Sequence, residues 1–92
     1  MRQLNPVATG KRIRELRMQR NIKVNELARL IGLESDQAIY KWQRGDSMPS
    51  MDNVVVLSEI LGVPLDEIIV RDDPRMRNRL GRDKARLENT AA

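Results

Sequence analysis

Apolar residues recur at helical spacing along most of the first seventy positions. The clearest run is Val24, Leu27, Ala28 and Ile31, at i, i+3, i+4 and i+7, which is one face of a helix. Gly32 follows at once, where a helix end favours a residue that tolerates positive φ. After a brief Leu33-Glu34 turn, Ser35 is placed as an N-cap. A second short helix is predicted from about Asp36 to Arg44, with Ala38, Ile39 and Trp42 facing inward and Gly45-Asp46 as its stop. Upstream, Ala8 to Arg20 reads as a helix with Ile13 and Leu16 inward. Lys11, Arg12, Arg14 and Arg17 then lie toward water, and Thr9 is the expected cap. Residues 1–7, which contain Pro6, read as a loose arm.

Downstream, Pro49-Ser50 opens a fourth helix with Ser50 as N-cap. Val54, Leu57, Ser58 and Leu61 form its inward stripe, and Gly62 closes it. Pro64 suits the start of a short last helix that Leu65, Ile68 and Ile69 would dock. Asp66 and Glu67 fall in its first turn, where the helix dipole favours negative charge. The pattern therefore predicts an all-α class: a compact five-helix domain over residues 8–70.

After Val70 the apolar period fades. Residues 71–92 carry seven Lys/Arg against four Asp/Glu, whereas residues 1–70 carry ten against nine. Most of the net +4 charge thus sits in a basic tail, read as disordered or conditionally helical. The sequence pI of about 10.1 points to a polyanionic partner. The only aromatic residues are Tyr40 and Trp42, so the core must be aliphatic. The chain has neither Cys nor His. Disulfides and thiolate metal sites are excluded, and the commonest general base and metal ligand are missing. No nucleophile–base pair or phosphate-cradling glycine loop appears, so neither an enzyme nor a bound cofactor or metal is expected. The adjacent carboxylates Asp66-Glu67 and Asp72-Asp73 read as capping and solvated groups. The longest apolar run, Val54 to Leu57, is far short of the ~20 residues that span a bilayer. A soluble, cytoplasmic protein is expected.

Two short helices joined by a glycine turn become informative through three positions. A helix-turn-helix needs a small residue where its helices cross, a glycine in the turn, and a branched apolar residue to lock the angle. Ala28, Gly32 and Ile39 fill these roles, with Trp42 as a further core anchor.

From here the sequence resembles the XRE family, the helix-turn-helix regulators related to phage Cro and cI. The resemblance covers about residues 9–70 and rests on five ordered segments. These are Gly10-Lys11-Arg12-Ile13-Arg14-Glu15-Leu16-Arg17, Asn25 through Leu33, Ala38-Ile39-Tyr40-Lys41-Trp42-Gln43-Arg44-Gly45, Pro49 through Asn53, and Leu61 through Ile68. It implies a lambda-repressor-like domain that binds operator DNA and regulates transcription, as a homodimer. Two features depart from the family pattern. Gly32 to Ile39 is seven steps rather than six, which implies a longer turn. Lys23-Val24 stands where Thr-Gln often opens the second helix, so Lys23 would supply the phosphate contact as a charge.

With Ile39 and Trp42 buried, helical spacing puts Gln37, Tyr40, Lys41 and Arg44 on the opposite stripe. That stripe would face the major groove. Gln37 is the first candidate for base reading, because an amide pairs bidentately with adenine. Tyr40 could bond a phosphate or pack on a thymine methyl, and Lys41 could reach a guanine or the backbone. Arg44 is expected on phosphate, and so are Ser50, with the amides of Met51 and Asp52, and Arg12 and Arg17 of the first helix. The plainer reading of such residues is a solvated surface. Asp36 is read as a cap before a cytosine contact. The dimer interface would use Leu65, Ile69 and Val70, or the tail.

One alternative is an antitoxin or protein-interaction adaptor that binds a protein partner through residues 71–92. The same tail could instead add phosphate affinity.

Overall fold

The computed structural model describes residues 4–72. The arm residues 1–3 and the tail from 73 onward lie outside that range. Five helices follow one another: α1 (Pro6–Gln19), α2 (Val24–Ile31), α3 (Gln37–Arg44), α4 (Met51–Leu61) and α5 (Leu65–Ile68). Among the described residues the only extended pairing is one antiparallel bridge, Leu4 with Arg71.

The core is aliphatic apart from Trp42. Ile13 and Leu16 of α1, Leu27 and Ala28 of α2, Ile39 and Trp42 of α3, Leu57 and Leu61 of α4 and Ile68 of α5 form one buried cluster. Val24, Ile31, Leu33, Ala38, Ile60 and Val63 pack on its edge. Burying each of the larger side chains contributes about 1.5–3 kcal/mol. No buried side-chain polar atom among the described residues lacks a partner.

Helix ends follow local chemistry. Gly32, Gly45 and Gly62 all take positive φ as C-caps, at 95°, 81° and 70°. Ser50 caps α4 by accepting from the Asn53 amide at 3.3 Å.

Three expectations are corrected. First, α1 begins at Pro6, two residues before Ala8, because the Asn5 side chain accepts from the Ala8 amide at 3.0 Å and Pro6 needs no amide partner in the first turn. Thr9 is not the cap. It is buried inside the helix, where its hydroxyl oxygen accepts from the Val70 amide at 3.0 Å. The Asn5 amide donates to the Val70 carbonyl at 2.7 Å. Leu4 to Val7 therefore belong to the folded body, not to a loose arm. Second, α3 begins at Gln37. Asp36 occupies the N-cap position without a side-chain cap bond, and the Ser35 hydroxyl accepts weakly from the Gln37 amide at 3.4 Å. Third, Leu65 is exposed and Ile69 half-buried, so Ile68 alone anchors α5 in the core.

Candidate functional site

The site is built around α3, whose sequence splits it lengthwise. Ile39 and Trp42 are three residues apart and both buried, which fixes which side of the helix faces the core. Gln37, Tyr40, Lys41 and Arg44 then lie on the outer side, and all four are exposed. Tyr40 keeps 40% of its surface in solvent although it is a large aromatic residue. Gln37 is the first helical residue, at the end of α3 nearest α2. Lys41 and Arg44 occupy the last turn, where cations suit the helix dipole.

The inner side is held by an unusually close approach. A Cβ on Gly10 of α1 would overlap the Trp42 carbonyl oxygen and crowd the Trp42 and Gln43 carbonyl carbons at 2.9 and 3.0 Å. Only glycine allows the α1 and α3 backbones to come this near. At the C-terminus of α3, a Cβ on Gly45 would stand 2.7 Å from Val7 Cγ2 and 2.8 Å from Val7 Cα. The first and second turns of α1 thus brace the second half of α3.

Arg17 completes the brace. Its Nε donates to Gln43 Oε1 at 3.0 Å and its Nη1 to the Ile22 carbonyl at 2.9 Å. One guanidinium thereby ties α1 to α3 and to the turn that leads into α2. Lys23, next to Ile22, is the N-cap residue of α2, and its side chain makes no cap bond and is exposed. Arg44 leans on Asp46 at 2.9 Å, a pair with both side chains more than half exposed. Ser50 and Met51 are exposed at the start of α4.

Arg12 faces elsewhere. Its Nε donates to the Glu67 carbonyl at 2.8 Å, and its guanidinium lies 3.7 Å from the Glu15 carboxylate and 3.8 Å from that of Glu67. It links α1 to α5. The structure therefore gathers Gln37, Tyr40, Lys41 and Arg44 on one helix face, but directs Arg12 to α5.

Between α2 and α3 the five residues Gly32 to Asp36 form the turn. An open hollow lies there, lined by Asn25, Ala28, Arg29, Leu33, Glu34, Ser35 and Asp36. Ala28 and Ile39 are both buried here, as the crossing of two short helices requires. The Leu33 amide bonds back to the Ala28 carbonyl at 2.9 Å and closes α2.

Sequence reasoning missed Gln43, Gly10 and Asn5. Gly10 carried a signal, since an isolated glycine within a helical pattern commonly has a packing cause. Gln43, four residues after Ile39, shares the flank of the buried face, so a partner across the interface was foreseeable.

A helix-turn-helix family model (HTH_3) matches residues 13–68, more than half of the chain. A search of curated proteins found no match. Among solved structures, the restriction-modification controller protein C.AhdI from Aeromonas hydrophila is 31% identical, with TM-score 0.62, covering 67% of this chain and 92% of its own. The P22 c2 repressor, solved with a synthetic operator, is 32% identical, with TM-score 0.61, covering 65% of this chain and 89% of its own. The clp gene regulator ClgR from Corynebacterium glutamicum shares the fold at 21% identity, with TM-score 0.63 and coverage of 72% and 84%. The family match runs from Ile13, within α1, to the end of α5 at Ile68 and includes the Ala28–Gly32–Ile39 crossing. On these grounds the chain belongs to the XRE-type helix-turn-helix family of DNA-binding transcriptional regulators.

Proposed function

We propose that this protein is a sequence-specific regulator, acting as a repressor, that lays α3 in the major groove of double-stranded DNA. The observation that carries the reading is the two-sided character of α3. One side is fixed against α1, and the other presents an amide, a phenol and two cations to solvent. A reading helix needs such a combination, because base contacts require side chains held in register by a rigid support.

In this reading Gln37 stands deepest, since the N-terminal residues of a recognition helix contact base edges. Its amide can accept from and donate to the adenine edge. Tyr40 and Lys41 read or flank the next positions. Arg44 grips phosphate, and Asp46 is an exchangeable partner that holds it extended until then. Lys23, the Ser50 hydroxyl and the amides that follow it contact the backbone on either side. Arg17 acts through Gln43 and Ile22, and its remaining donor capacity is available to a phosphate. Arg12, held by Glu67, fastens α5 in this reading rather than reaching DNA.

One reading helix spans few base pairs, so useful specificity calls for two copies on half-sites about one helical turn, ~34 Å, apart. A homodimer on DNA follows, and the P22 c2 repressor, solved with a synthetic operator, supports duplex DNA as the partner. Among the described residues no helix is long and apolar enough to cross a membrane. We place the protein in the cytoplasm, where its DNA would be.

Selection from a random duplex pool tests the proposal. Wild type should enrich a motif with two half-sites, and Gln37→Ala should blur one position in each. Absence of enrichment by a folded wild-type protein would remove the operator-binding reading.

A further inference from the structure

Three of the five helices open on a residue whose side chain is suited to capping: Asn5, Asp36 and Ser50. Asn5 and Ser50 hold the extended backbone that capping needs, with ψ 99° and 162°, and each accepts from an amide of its own first turn. Asp36, at the head of α3, has φ −86° and ψ 1°, and its carboxylate makes no cap bond. The Ser35 hydroxyl takes the Gln37 amide instead, at 3.4 Å. Backbone geometry thus withholds the Asp36 carboxylate from its usual local partner.

The Tyr40 amide donates to the Asp36 carbonyl at 3.3 Å, so the helical phase of α3 already includes Asp36. Residues at this spacing share one flank of a helix, which puts Asp36 beside the exposed Tyr40. Asp36 also borders the open hollow between α2 and the turn. Arg29 borders the same hollow, yet among the described residues no cation stands within ion-pair distance of Asp36. A carboxylate at this end of α3 repels phosphates, and only a hydrogen-bond donor on the DNA offsets that cost. In the major groove the donors are the amino groups of cytosine and adenine, whereas guanine and thymine present acceptors. Adenine carries an acceptor next to its amino group and suits an amide; cytosine suits an acid.

We infer that Asp36 is a specificity-determining residue, whose carboxylate accepts from the amino group of a cytosine next to the base pair that Gln37 reads. This rests on the reading of α3 given above. Asp36 works by exclusion as much as by attraction. It gains one bond on the right sequence and meets phosphates and acceptor edges on the others, which widens the gap between them. The signature is distinctive: removing the carboxylate relaxes one position and at the same time raises affinity for unrelated duplex.

The test is competition binding by the full chain on the selected motif and its single-pair variants, with wild type, Asp36→Asn, Asp36→Ser and Gln37→Ala. Asn and Ser are both good N-cap residues, so the two Asp36 variants keep a start for α3, and circular dichroism verifies that they are folded. At one position of each half-site, wild type should prefer cytosine by about 5–150-fold. That position should lie next to the one that Gln37→Ala relaxes. Asp36→Ser should level the preference, and Asp36→Asn should turn it toward adenine, whose edge pairs with an amide. Both should bind unrelated duplex more tightly than wild type does. An unchanged base preference in the Asp36 variants overturns this role, and if Gln37→Ala still relaxes its own position, base reading by α3 stands. Failure of wild type to select any motif overturns both readings.

Discussion

The two sides of α3 obey different physics. On the inner side, Ile39 and Trp42 are buried, the Trp42 carbonyl nearly touches the α1 backbone, and Arg17 grips Gln43. On the outer side, among the described residues, Gln37, Tyr40 and Lys41 make no side-chain hydrogen bond or ion pair, and Arg44 pairs with the exposed Asp46. The same eight residues therefore carry a structural duty and a recognition duty, separated by helical phase alone. Substitutions on the inner side should cost stability first and DNA affinity as a consequence. Those on the outer side should leave stability untouched.

The largest effect is expected at Gly10. An alanine there pushes a methyl into the Trp42 and Gln43 backbone, and backbone cannot rotate away as a side chain could. The α1 and α3 helices must separate, which opens the core around Ile13 and Ile39. We expect Gly10→Ala to cost about 3 kcal/mol or more, against the ~0.5–1 kcal/mol that alanine normally gains over glycine in a helix. Urea denaturation measures it. A neutral or stabilising outcome would mean that α1 and α3 are not in this close contact.

Next comes Arg17. Replacing it with Met keeps much of the apolar stem but strands the Gln43 amide oxygen and the Ile22 carbonyl. The site is only partly buried, so water can reach part of it, and about 1–2 kcal/mol is the expected loss. Arg44→Met removes an equally short ion-pair contact, but one in which both side chains are more than half exposed. That change should stay within about 0.5 kcal/mol. Thermal unfolding of the two variants side by side compares one residue type on both sides of α3. Equal losses would contradict the division.

Gly32 separates crowding from backbone strain. Nothing lies within 4 Å of a Cβ built there, yet φ is +95°. An alanine at Gly32 meets no neighbour and still loses about 1–2 kcal/mol, the left-handed penalty. Gly32→Asn should recover part of it, since Asn tolerates that region better. A Gly32→Ala loss as large as that of Gly10→Ala would mean that the turn is packed rather than open.

Much of this division was legible in the sequence. The boundaries of α2 and the ends of α3 and α4 follow from apolar period and glycine stops, because those signals are local. The outer stripe of α3 follows from the same phase. What was not legible depends on chain segments far apart. Nothing in Thr9 alone announces that its hydroxyl will hold Val70, sixty-one residues away. Its type suits a helix cap equally well, and Asn5 took that role because Pro6 could start the helix earlier. Arg12 and Arg17 looked alike as basic residues on one helix, but their fates diverged with the partners that tertiary packing supplied, Glu67 for one and Gln43 for the other. Leu65 read as a docking residue because a four-residue helix is too short for its period to say which side is inward.

The smallest expected change in stability, and the most informative, is at Gln37. Its side chain is exposed at the first position of α3, and the hydrogen bond its residue makes there is from the backbone amide, which alanine keeps. Alanine is also the better helix former. Gln37→Ala should therefore unfold within about 0.5 kcal/mol of wild type. On DNA the same change should reduce discrimination at one position of each half-site by about 1–3 kcal/mol, because the adenine edge loses a bidentate partner. Affinity for unrelated duplex should be unchanged, since phosphate contacts are untouched. Competition binding with singly substituted duplexes measures both quantities. A loss spread evenly over all sequences would make Gln37 a backbone contact. No loss at all would shift base reading to Tyr40 and Lys41, one turn further along α3, which is the displacement that the longer Gly32–Asp36 turn could produce.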